Sequence, residues 1–127
     1  MSTSEISIDL VNKTVTKKVL HYRQYDVYQR EVYWLQYFAK INVDWAPKLI
    51  KKDDDQYQFT MTYVGQPINK DNAPHDWEKQ LQNILNHLKS LNIKHNDIKD
   101  AEVMVMDNKI YLIDFGWMSV ANDWSCC

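Results

Sequence analysis

Glycine is nearly absent from this chain: its 127 residues hold two, Gly65 and Gly116. A glycine-rich loop, which lets backbone amides close around phosphate groups, therefore has no place in it. Cysteine is equally scarce, and its two copies, Cys126 and Cys127, are adjacent at the end. Such a pair builds neither a disulfide framework nor a Cys-x-x-Cys metal knuckle, and the usual flanking signals of lipidation are missing. Reduced thiols are expected there. His21, His75, His87 and His95 show no HxxxH or HExxH spacing, which argues against a helical zinc site. Neither sign of charge dominates, since 15 Lys and Arg against 17 Asp and Glu leave a net charge of -2 and a pI near 6.0. Without a basic face, no nucleic-acid partner is expected. No apolar run approaches the ~20 residues of a membrane-crossing helix, and the start MSTSEIS lacks the basic-then-apolar pattern of a secretory signal. The expectation is a cytoplasmic, intracellular protein with no membrane partner. So trimmed a chain would suit a compact genome, such as that of a virus in a host cell.

What is present argues for a folded globule. Hydrophobic residues make up 45% and aromatic residues 13%, with five Trp and eight Tyr, enough to build a core. The length suits one domain of modest size.

Residues 1–6 are small and polar and read as loose. Ile8 to Val11 and Thr14 to Leu20 read as strands around an Asn12-Lys13 turn. Alternation along the second strand puts Val15, Lys17 and Val19 on one face. A lysine between two valines suggests an inward ammonium; Lys18 takes that place if the register slips by one, and both are surface lysines if this is an ordinary edge strand. Gln24 to Lys40 reads as a helix, with Val27, Glu31, Trp34, Leu35 and Phe38 forming one stripe. Glu31 inside that stripe needs a partner, because burial disfavours a bare carboxylate. Lys17 is the candidate, with local pairing to Arg30 as the competing reading.

After a connector closed by Pro47, Lys48 to Lys52 and Gln56 to Val64 read as strands around a solvated Asp53-Asp54-Asp55 turn. His75 to Leu91 reads as a second helix, its stripe running through Trp77, Leu81, Ile84, Leu85, Leu88 and Leu91. His87 falls off that stripe and is expected at the surface. Val103 to Met106 and Ile110 to Ile113 then form a hairpin across an Asp107-Asn108 turn. Its two ends should meet, bringing Asp97, Glu102 and Asp114 together. Three carboxylates in one place repel unless a cation joins them, and oxygen ligands favour Mg²⁺.

His95-Asn96-Asp97-Ile98-Lys99 followed by Asp114-Phe115-Gly116 resembles the catalytic loop and metal-binding triplet of the protein-kinase-like superfamily. The resemblance implies an α+β chain of reduced kinase-like fold. It would have a small antiparallel sheet with one packed helix over 1–64, then a second long helix and the catalytic hairpin over 65–127, a remnant of the large lobe. It also implies ATP and Mg²⁺ as cofactors. Lys17 would hold the α- and β-phosphates and pair with Glu31, while backbone groups from Thr62 to Val64, with Tyr63 and Val64 at the cofactor, would meet adenine. Asp97 would act as the catalytic Asp, Lys99 would reach the γ-phosphate, His95 would support the loop and Asp114 would bind metal.

Glu102 stands where the family has Asn and can still offer oxygen to Mg²⁺. Asn96 in place of the usual Arg resembles lipopolysaccharide kinases, small-molecule kinases and other atypical members. With eleven residues after Gly116, the activation segment and lower helices of the family are expected to be missing. Apolar surface on the second helix, covered by self-association into a homo-oligomer, would follow. The implied function is transfer of the γ-phosphoryl of ATP to a hydroxyl, with Ser or Thr of a protein as the expected acceptor. The alternative is an inactive pseudokinase that binds and regulates a protein partner.

Overall fold

The computed structural model describes residues 4–20, 24–94, 102–113, 115 and 119–120. The chain is α+β, with small antiparallel sheets and two helices.

Strands β1 (Ser4–Asp9) and β2 (Thr14–Val19) pair antiparallel, Ile6 opposite Lys17 and Ile8 opposite Val15. The first strand thus starts earlier than its Ile8–Val11 expectation. Glu5 to Asp9 alternates polar and apolar residues with a period of two, and Leu10 to Lys13 make the turn instead. Asp9 builds that turn: its Oδ1 accepts the amides of Val11 and Asn12 at 3.1 Å, while its Oδ2 accepts Asn12 Nδ2 at 2.7 Å. This is the local bonding that makes Asp a turn former.

Helix α1 spans Gln24–Lys40. The five stripe residues are buried, joined by Tyr28 and Val32. The helix ends on Asn42 in the left-handed region (φ 60°), and Val43 N donates back to Phe38 O at 3.1 Å, a C-cap that reverses the chain. Strands β3 (Leu49–Asp53) and β4 (Gln58–Thr62) complete a four-stranded sheet of order β1-β2-β4-β3, and α1 packs on β2 and β3.

Strand β5 (Gln66–Pro67) leaves this sheet to pair with β7 (Glu102–Met106), whose other neighbour is β8 (Lys109–Ile113). The β7–β8 turn carries positive φ at both Asp107 (53°) and Asn108 (67°), the geometry of a two-residue hairpin loop. Helix α2 (Trp77–Ser90) lies against β8 and against β6 (Ile93–Lys94), which pairs with β9 (Ser119–Val120).

Gly65 makes the passage from β4 to β5 possible. It sits at φ +104°, and a Cβ there would lie 1.9 Å from Val105 O. The two chain segments cross so closely that only glycine fits. The second helix differs from expectation. Of its large apolar residues only Trp77 is exposed; four exposed aliphatic side chains, Ile6, Ile8, Leu10 and Val11, fall together on the first hairpin.

Candidate functional site

Lys17 and Glu31 meet inside the protein. Lys17 Nζ donates to Glu31 Oε1 at 2.9 Å, with side-chain exposures of 11% and 2%. Strand alternation puts Lys17 on the face that α1 covers, and the helix repeat puts Glu31 on the stripe facing it. Lys18, on the opposite face, is half-buried. The register question between the two lysines is thereby answered for this structure: Lys17 is the one paired with the helix.

The pair closes the inner end of a slot. It is lined by Ile6, Ile8 and Val15 of the first hairpin, by Met61 and the segment Thr62 to Gly65 at the edge of β4, and by Met104 of β7 and Ile113 of β8. Its volume is about 130 Å³, below the ~300 Å³ of a full small-molecule pocket. A flat ring fits such a space, and the remainder of a larger ligand has to lie outside it. The walls are aliphatic, so their attraction for a ring is hydrophobic and non-directional. Direction has to come from the edge and from the ammonium.

Along that edge the amides are not equivalent. Thr62 N–H is bonded to Lys48 O and Tyr63 N–H to Lys13 O, both at 2.9 Å, whereas no described residue accepts from Val64 N–H. Val64 is nearly buried. A buried amide normally has an acceptor, so Val64 offers a donor to whatever occupies the slot. Tyr63 is half-buried, and its hydroxyl accepts from Gln66 Nε2 at 3.2 Å.

Of the residues singled out in the sequence, Lys17, Glu31, Tyr63 and Val64 therefore line one cleft. Glu102 opens β7 at the ladder position opposite Ile113, so the two ends of the hairpin do meet. Asp97, Lys99 and Asp114 lie outside the described residues, as does His95. Phe115 is buried, its ring 5.1 Å from that of Phe38 on α1. Among the described residues no three His, Cys, Asp or Glu side chains gather as a metal cluster.

Sequence reasoning passed over the slot's walls. Ile6 and Ile8 were open to it through their period-two alternation. Met104 and Ile113 were not, because an apolar run in a hairpin reads alike whether it faces a core or a cleft. His87 also departs from its expected place: it is half-buried, and its Nδ1 accepts the indole N–H of Trp45 at 3.0 Å. Compared with protein-family models and with curated proteins, the sequence matches none.

Proposed function

We propose that this chain is a minimal phosphotransferase of reduced protein-kinase-like fold, dependent on ATP and Mg²⁺. The observation that carries the reading is the buried Lys17–Glu31 pair at the inner end of an aliphatic slot edged by a spare backbone amide. The slot takes the adenine ring between Ile8 and Val15 on one side and Met104 and Ile113 on the other. Val64 N–H donates to a ring nitrogen, and Lys17, held by Glu31, binds the α- and β-phosphates.

Phosphoryl transfer needs positioning and charge neutralisation more than covalent help from the protein. Asp114 and Glu102 would hold Mg²⁺, which would supply charge neutralisation for the phosphates, and Lys99 would contact the γ-phosphate. Asp97 takes the proton of the acceptor hydroxyl as its oxygen bonds to the γ-phosphorus. The bond to the β–γ bridging oxygen breaks, and ADP leaves. The acceptor is a Ser or Thr hydroxyl of a protein.

A second reading, a pseudokinase that binds nucleotide and regulates a protein partner without turnover, draws on Glu102 in place of Asn and on the shortage of glycine to cover phosphates. The experiment that separates them is incubation with γ-labelled ATP, Mg²⁺ and a generic basic protein, wild type beside Asp97→Asn. Label transferred by wild type alone supports the enzyme. Binding of ATP without transfer supports the pseudokinase.

A further inference from the structure

The connection between Trp45 and His87 plays no part in the reading above. Trp45 is 4% exposed and lies in the connector between α1 and β3. An indole N–H can only donate. It donates to Nδ1 of His87, and the two rings meet edge to face with centroids 5.8 Å apart. That bond requires a ring nitrogen without a proton. An imidazolium carries N–H on both nitrogens and would set a donor against the buried donor of Trp45.

Trp45 in turn contacts β8 and α1, two elements that carry residues of the cleft. Its backbone oxygen accepts Leu112 N at 2.8 Å, and the next residue of β8, Ile113, lines the slot. Its ring packs on Phe38 at 4.8 Å, on the same helix that carries Glu31, and Phe38 packs on Phe115 at 5.1 Å. The groove around His87 is shared by Asp44 beside Trp45, Gln80 and Asn83 of α2, and Lys109 of β8. Its charged groups, Asp44 and Lys109, pair with each other at 3.1 Å.

We propose that His87 is a proton-operated latch on the cleft. In its neutral form it holds Trp45, and through Trp45 the end of β8 and the face of α1. Protonation removes the acceptor, releases the indole and loosens the slot. The bracing therefore belongs to the neutral ring and is absent from the imidazolium, the form that acid favours. The consequence for ligand affinity rests on the nucleotide reading; the latch itself does not.

The test compares the full chain as wild type, His87→Asn and His87→Leu at about pH 7.5 and 5.5, a span over which histidine side chains as a class change charge. Asn offers Oδ1 near the position of Nδ1 and does not titrate; Leu offers no acceptor. Hydrogen-exchange protection of the Trp45 indole and the Leu112 amide is measured by NMR, and Mg-ATP affinity by calorimetry.

Protection in wild type should fall roughly tenfold on acidification, the scale of one lost hydrogen bond. It should stay level in His87→Asn and be low at both pH values in His87→Leu. Mg-ATP affinity should follow, read as the ratio of wild type to His87→Asn so that titration of ATP itself cancels. Equal protection in wild type and His87→Asn at both pH values overturns the latch, even if the Leu variant does not fold. The expected protection pattern without Mg-ATP binding at either pH upholds the latch and overturns the nucleotide reading.

Discussion

Lys17 on β2 and Glu31 on α1 form a 2.9 Å ion pair across the space between sheet and helix, at the inner end of the slot. One residue is partly open to the cleft and the other is almost wholly buried. The two halves of the pair should therefore respond differently to substitution.

Lys17→Met leaves a carboxylate in the interior without the ammonium bonded to it, and breaking a buried pair in this way costs about 3–5 kcal/mol. Glu31→Gln keeps a neutral acceptor beside an ammonium that lines the cleft, and should cost less. Urea unfolding of both variants checks the order. Equal losses would mean that the buried carboxylate is held by other bonds.

Gly65→Ala should be among the most damaging single changes in the chain. The added Cβ meets Val105 O and C, at 1.9 and 2.6 Å, in a backbone conformation that alanine rarely adopts. Strain of that kind costs of order 1–3 kcal/mol before the clash is counted. A lowered melting temperature, with lost exchange protection across the β5–β7 pairing, is the expected result.

Ile8→Thr separates binding from stability. Ile8 is 54% exposed, so its replacement by another β-branched residue should change stability by less than about 0.5 kcal/mol, as at other surface positions. If a ring sits against it, ligand affinity should still fall by roughly fivefold, about 1 kcal/mol of apolar burial. Calorimetry with Mg-ATP and thermal unfolding on the same sample give both numbers.

The residues differ in how far their places could be foreseen, and the differences are physical. Helix α1 begins and ends where its pattern predicts, because a seventeen-residue amphipathic stripe leaves little latitude. Asp107-Asn108 marks the β7–β8 hairpin, since few residues accept positive φ twice in succession. The Lys17–Glu31 pairing followed from two independent periodicities pointing at one space. By contrast, β5 is two residues long and exists only through its long-range pairing with β7. The bonds of Thr62 and Tyr63 to Lys48 and Lys13, and the lack of an acceptor for Val64 N–H among the described residues, depend on chain segments far apart in sequence, which no local pattern records. Trp45 and His87 are single residues 42 positions apart, joined only by the fold.

Acid should loosen the contact between α1 and the β3–β4 turn. Tyr28 Oη donates to Asp54 Oδ1 at 2.7 Å, and Lys52 adds its ammonium to the same carboxylate. The Tyr28 hydroxyl, followed by Lys52, holds Asp54 below the ordinary carboxylate range. Burial, and then Asp54, push the phenol well above its usual range. A carboxylate with a lowered folded-state pKa contributes stability that is complete above its unfolded value, 3.8. That contribution is lost as pH falls through the folded value. Tyr28→Phe should flatten this part of the acid limb in a stability-against-pH curve. Unchanged curves would show that the bond contributes nothing.

The central claim is that the slot holds the ring of a nucleotide, and mapping Mg-ATP onto the amide spectrum of the isotopically labelled chain tests it most directly. The account predicts that Val64 N–H moves furthest downfield, with Gly65, Lys17, Met104 and Ile113 also displaced. The same titration with the Ile8→Thr variant should need a higher nucleotide concentration. An unchanged spectrum at millimolar Mg-ATP, or shifts confined to residues away from the slot, would contradict the claim.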